Sequence, residues 1–172
     1  GFAKEENPFL GFRAIRRQLK TPEILKNQIK AILLAAKQRT NIQLLFPMIT
    51  ELSELRQVKQ IYQECYQELK NADEQIMDLK IGMMFEIPGA LLLCEHFMPE
   101  LDFCAIGSND LTQYVLAVDR NNPMIAHLYD PLHPAILKLI HQLLRVADQY
   151  DIPVSLCGEM ASDPEGCIIL LG

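Results

Sequence analysis

No two of the five cysteines are spaced C-x-x-C, and five is an odd number. Neither a disulfide framework nor a structural zinc site is therefore expected, and the thiol pattern fits a reducing cytoplasm. No apolar run approaches the roughly 20 residues of a bilayer-spanning helix, so no membrane span is expected. The opening GFAKEENPF lacks the marks of a signal peptide, and because it does not begin with Met the chain is expected to be a fragment. Excess positive charge is missing as well: 16 Lys and Arg stand against 22 Asp and Glu, a net charge of −6. That balance argues against nucleic acid as a partner. What is present is an ordinary globular composition, 49% hydrophobic with 8 Gly and 10 Pro, in 172 residues. This suffices for one core, and without internal repeats or low-complexity stretches residues 1–172 read as a single domain. One basic cluster stands out, Arg13, Arg16, Arg17 and Lys20 in GFRAIRRQLK, which reads first as the solvated face of a helix.

The apolar pattern alternates between strand and helix. Thr21-Pro22-Glu23 is a helix start, with a hydroxyl at the cap, Pro at the first position and an acid in the first turn. Ile42–Ile49 reads as a strand, Thr50 as the cap of the next helix, and Asn71–Asp78 as a polar loop. A second strand runs from Lys80 to Glu86, and Pro88 opens a helix to about Met98. A third strand, Asp102–Ile106, turns through Gly107-Ser108-Asn109-Asp110, where Asn109 or Ser108 is a candidate cap for a short helix, Leu111–Val118. A long loop, Asp119–Leu132, leads to a helix opened by His133-Pro134 and ending near Tyr150. VSLC is the fourth strand, and Ser162-Asp163-Pro164-Glu165 starts a last helix that reaches Gly172. Strand followed by helix, four times over, implies an α/β fold with a parallel sheet. A full (β/α)8 barrel takes about 250 residues, so the expected architecture is a partial barrel lacking its first and last strands. An open doubly wound sheet competes with it.

Three strands end on side chains with chemistry: Glu86 after MMF, Asp110 after FCAIGSN, and Cys157 after VSL. The carboxyl ends of parallel strands share one rim, where α/β folds place their sites. An acid at a strand mouth also serves as a helix cap, so each signal alone is weak. Two carboxylates on one rim suit a hard cation such as Mg²⁺, which keeps waters and accepts substrate oxygens. A thiol, with a reference pKa of about 8.5, carries a proton to donate at neutral pH. Anionic ligands beside a metal call for Arg, and Arg13 and Arg120 are the candidates. Cys65, Cys94, Cys104 and Cys167 read as core. His96, His133 and His141 read as ordinary surface or core histidines, and His127 is placed to border the site.

NPFLGFRAIR, LLFPMI, IGMMFEIPGA, DFCAIGSNDLTQYVLAVDRNNP, HLYDPLHPAILKLI and SLCGEMASDP, in this order, resemble the phosphoenolpyruvate-utilising barrel domain. The similarity runs along essentially the whole chain. LTQYVLAVDRNNP with HLYDPLHP favours the enzyme I branch of the bacterial phosphotransferase system over the dikinase and synthase branches, and IPVSLCGEMASDP leans to its nitrogen-related form. The resemblance implies that Glu86 and Asp110 hold Mg²⁺. It further implies that Asn109, Arg120 and Arg13 bind phosphoenolpyruvate and that Cys157 protonates C3 of the enolate. The departures are mild: Phe12 for a common Trp, Ser108 for Thr, Ile87 for Thr. Two further arginine motifs of the family, R-T-E and R-T-x-D-x-G-G-D, do not occur in the 172 residues.

The implied reaction is phosphoryl transfer from phosphoenolpyruvate to a histidine on a separate domain. From there it passes to a histidine phosphocarrier, with release of pyruvate, in a homodimeric cytoplasmic enzyme. Two other readings stand beside it: a non-catalytic binding or self-association module, and a pyruvate phosphate dikinase or phosphoenolpyruvate synthase relative.

Overall fold

A computed structural model describes residues 5–72 and 75–171. Within them, β1 (Gln43–Phe46), β2 (Lys80–Phe85), β3 (Phe103–Gly107) and β4 (Val154–Cys157) form one parallel sheet in the order β1-β2-β3-β4. The helices between them are α3 (Leu52–Asn71), the short pair α4 (Pro88–Leu92) and α5 (Cys94–Phe97), α6 (Ser108–Leu116), and α7 (Pro134–Gln149). Before β1 come α1 (Ala14–Lys20) and α2 (Pro22–Ala35), and after β4 comes α8 (Pro164–Leu170). Each strand lies beside its predecessor, so the sheet has none of the order reversal that marks a doubly wound fold. Among the described residues no helix is long and apolar enough to cross a membrane.

The two faces of the sheet differ in kind. Leu44 and Phe46, Ile81, Met83 and Phe85, Cys104 and Ile106, with Val154 and Leu156 beside them, join the main core built from the helices. The alternate positions form the other face, as the period of two in a strand requires. There the register pairs Met84 with Ala105 and Ala105 with Ser155, and Gly107 with Cys157. One residue beyond β2, Glu86 continues the row of Met84. Small residues on β3 make room for both: a Cβ on Gly107 would lie 2.7 Å from Glu86 Oε2 and 2.8 Å from Met84 Sδ.

Several local expectations are corrected. β1 stops at Phe46 rather than Ile49, because Pro47 has no N–H for the ladder and Met48 turns into the left-handed region at φ 62°. Glu51, not Thr50, caps α3, in a reciprocal capping box with Glu54. Thr21 occupies the cap of α2, but its hydroxyl makes no capping bond. The helix from Pro88 breaks at Leu93 and ends in a 3-10 turn, Met98–Glu100. α6 starts at Ser108 rather than Leu111, with neither Ser108 nor Asn109 as its cap, and ends at Leu116 because Ala117 is left-handed (φ 54°). Asp163 caps α8 through Gly166 N–H at 2.7 Å. Residues 73 and 74 of the polar loop, and Gly172 at the end of the last helix, lie outside the described residues.

Candidate functional site

The carboxyl ends of β2 and β3 and the loop before α1 meet around one carboxylate. Asp110 lies in the first turn of α6, where the helix N-terminus favours negative charge. Arg13 Nη2 donates to Asp110 Oδ2 at 3.0 Å, and Arg120 Nη2 stands 4.0 Å from Asp110 Oδ1. Asp110 is buried, and both arginines are partly so. Arg120 Nη1 is buried with no hydrogen-bond partner. A buried donor without a partner is rare and costly, so this nitrogen is suited to an anion that enters the site.

Glu86 is 4% exposed, on the same face of the sheet. Its Oε1 accepts the Met48 N–H at 2.7 Å, which the left-handed turn after Pro47 delivers. Burial pushes the Glu86 carboxyl up to about 7; the Met48 bond opposes this, and the nearby Asp110 charge adds to it. An ordinary carboxyl in the unfolded chain ionises near 4.5, so the folded state holds this proton where the unfolded state has lost it. Stability therefore falls as pH rises from about 4.5 to about 7 and is flat beyond. Glu86→Gln keeps an oxygen for the Met48 N–H and removes the ionisation. It is expected to stabilise the chain by about 2 kcal/mol at pH 8 and not at pH 4, as urea unfolding at the two pH values would show. Equal effects at both would place the charge penalty elsewhere.

β4 brings the thiol and α6 the amide. Cys157 is exposed, opposite Gly107 in register. Its carbonyl accepts from Ser108 Oγ at 3.0 Å, and Asn109 Oδ1 accepts the Glu159 N–H at 3.1 Å. Between them Gly158 adopts φ 122°, and a Cβ there would run into Ser108 Oγ and Asn109 Oδ1. The backbone after Cys157 is thus pressed onto the start of α6, which fixes thiol and amide relative to each other. With its oxygen so engaged, Asn109 keeps its NH₂ as a donor.

Arg13, Glu86, Asp110 and Arg120 are joined by direct contact or charge, and Asn109 and Cys157 by the turn at Gly158. His127 is exposed on a 3-10 turn, Ala126–Leu128. Tyr129, two residues on, reaches the site instead, its hydroxyl donating to the Asn109 carbonyl at 3.3 Å. Cys65, Cys94 and Cys104 are buried as expected, but Cys167 is only partly so, its thiol 3.1 Å from the Ala161 carbonyl. Sequence reasoning missed Gln113, whose Oε1 accepts the Arg120 N–H at 3.3 Å, and Tyr114, whose hydroxyl accepts from Arg13 Nη1 at 3.5 Å. Their spacing of three and four from Asp110 was the available signal.

Glu86 and Asp110 are the site's hard oxygen donors. No group of three or more His, Cys, Asp or Glu side chains among the described residues is arranged to hold a metal ion. Two carboxylates match a cation that keeps most of its coordination for water and substrate, so the donor set fits Mg²⁺ in kind. Asp110 Oδ2 would have to share with Arg13.

The chain is similar to known proteins along its length. Residues 1–172 match the family model described as PEP-utilising enzyme, PEP-binding domain. The chain is 45% identical over 170 residues to a phosphoenolpyruvate-protein phosphotransferase of Buchnera aphidicola subsp. Acyrthosiphon pisum, covering 98% of this chain and 30% of that protein. To the protein of the same name in Bacillus subtilis it is 43% identical, with the same coverage. To an Escherichia coli protein named phosphoenolpyruvate-dependent phosphotransferase system it is 41% identical over 98% of this chain and 23% of the relative. In fold alone it is similar to a solved citrate lyase from Burkholderia xenovorans, with a TM-score of 0.58 at 18% identity over 76% of this chain and 40% of that one. The chain spans less than a third of the length of these curated relatives. With the family model matched from end to end and relatives above 40% identity along nearly all of it, the chain belongs to the PEP-utilising enzymes, as their PEP-binding domain.

Proposed function

We propose that this chain is the phosphoenolpyruvate-binding part of an enzyme I-type phosphotransferase, and that its four strands are a consecutive segment of a (β/α)8 barrel. The observation that carries the reading is Asp110 set between Arg13 and Arg120 beside the buried Glu86, at the carboxyl ends of adjacent parallel strands. That rim is where barrels of this kind place their chemistry.

Glu86 and Asp110 would hold Mg²⁺, which when bound neutralises negative charge on substrate oxygens. Arg13 and Arg120 bind the anionic groups of phosphoenolpyruvate, Arg120 through its unpartnered Nη1. The free NH₂ of Asn109 donates to a phosphate oxygen. Charge that develops on the departing phosphoryl group and on the enolate meets donors already in place. Cys157, exposed on the same rim, gives the enolate carbon its proton to form pyruvate. The phosphoryl acceptor is a histidine outside these 172 residues, which passes the group to a histidine phosphocarrier, and the working enzyme is a homodimer.

The full-length protein that carries this chain is expected to form pyruvate from phosphoenolpyruvate only with Mg²⁺ present. The chain alone lacks the family's two further arginine motifs, so calorimetry is expected to give a Kd weaker than about 1 mM. Absence of pyruvate formation by the full-length protein overturns the reading. One observation favours a self-association module for the chain alone: β1 and β4 are the outer strands of the sheet, each with one unpaired edge among the described residues.

A further inference from the structure

We infer that Tyr114 is the residue that positions Arg13, so that its hydroxyl and not its ring packing sets how the guanidinium faces substrate. The inference rests on the substrate role proposed above for Arg13. Three contacts converge on Arg13, and a fourth ties Tyr114 to the loop before it. The Tyr114 hydroxyl donates to the Phe9 carbonyl at 2.6 Å and accepts from Arg13 Nη1 at 3.5 Å. The Phe9 ring lies under the Arg13 guanidinium, 5.6 Å from centroid to carbon. Arg13 Nη2, the other nitrogen of the fork, donates to Asp110. Asp110 and Tyr114 are four apart on α6 and so share one face of the helix. A single helical turn therefore holds both nitrogens, and the same tyrosine ties down the loop that carries the arginine.

The surroundings explain why the hydroxyl is needed. The Tyr114 ring lines a cavity of about 500 Å³, together with Phe9, Met48, Ile87 and Val118. The ring packs against the core on one part of its surface and borders open space on another, so packing alone constrains it incompletely. The contacts of its hydroxyl, to the Phe9 carbonyl, to Arg13 and at 3.7 Å to Met48 Sδ, complete its placement, and through it that of a flexible arginine whose entropy otherwise opposes ordering. Burial keeps the hydroxyl protonated and thus a donor.

The test is a double-mutant cycle in the full-length protein with steady-state pyruvate formation. Tyr114→Phe is expected to raise KM for phosphoenolpyruvate about tenfold, as loss of a bond to a charged group does, with kcat changed less than about twofold. Arg13→Ala is expected to raise KM by more, and adding Tyr114→Phe to it is expected to change KM by less than about twofold. Phe retains the ring, so an unchanged melting temperature accompanies these values. A tenfold KM rise that persists in the Arg13→Ala background overturns the inference, because the tyrosine then acts apart from Arg13. So does an unchanged KM in Tyr114→Phe while Arg13→Ala raises it. An unchanged KM in Arg13→Ala removes the substrate role of Arg13, and the inference with it.

Discussion

Cys157→Ala in the full-length protein is expected to lower pyruvate formation by about 10²- to 10⁴-fold, the range of a lost general acid, while leaving stability within about 0.5 kcal/mol. The second half of that expectation comes from exposure. Cys157 is the one exposed thiol among the five: three are buried in the core, and Cys167 is partly covered and bonded to the Ala161 carbonyl. Removing a sulfur that packs against little opens no cavity. The first half comes from direction. Cys157 pairs in register with Gly107, and the space where a Gly107 side chain would sit is filled by Glu86. Residues paired across a sheet share a face, so thiol and carboxylate project to the same side. No other cysteine of this chain does so from a strand end, which leaves no thiol to substitute. Wild-type turnover in the variant would remove Cys157 from the mechanism. Equal losses of turnover and stability would make it a structural residue.

The strands were the most legible part of this chain, for a physical reason. KIGMMF and FCAIG are short apolar runs between polar flanks, as buried parallel strands require, while VSLC alternates between half-buried and exposed positions. Failures came where tertiary contacts override local chemistry. Ser108 and Asn109 look like helix caps, yet their side chains cross to the backbone of residues 157 and 159. The cluster at Arg13, Arg16 and Arg17 reads as a solvated face. It does belong to a helix start, but Arg13 precedes α1 in extended conformation and turns inward to Asp110. In the candidate site, the strand-end position revealed Glu86, Asp110 and Cys157 as candidates, and the family resemblance added Asn109 and settled on Arg13 and Arg120. Neither revealed what holds them. The donor to Glu86 is a backbone N–H, presented by a left-handed methionine that no residue-type rule singles out. Tyr114 and Gln113 follow Asp110 at helical spacing, but the cap-like Ser108 and Asn109 suggest a helix start at Leu111, which leaves Asp110 outside the helix and hides the shared face.

Asp110→Asn is expected to cost about 10³-fold in kcat/KM for phosphoenolpyruvate, at the upper end of what removing one electrostatic group from a site costs. The substitution separates two roles. As a pin, Asp110 needs only an oxygen in place: the Asn carbonyl can still accept from Arg13 Nη2, now 3.0 Å from Oδ2. As a charge, it does what an amide cannot. It balances two arginines, the second 4.0 Å from Oδ1, and supplies one of the two carboxylates a hard cation would use. Arg13 is about a third exposed, so solvent screens its attraction to Asp110, and the stability change is expected to stay under about 1 kcal/mol. Glu86 reports on the charge independently. Burial is the main cause of its raised pKa, but Asp110 contributes in the same direction, so the titration midpoint of Glu86 is expected to move down in the variant. A carboxyl titration followed by NMR measures this without substrate or metal. If the midpoint falls and activity collapses, the charge of Asp110 is what the reaction uses. If the midpoint falls and activity stays within tenfold of wild type, Asp110 serves as a pin for Arg13, and the two-carboxylate metal site loses its second ligand.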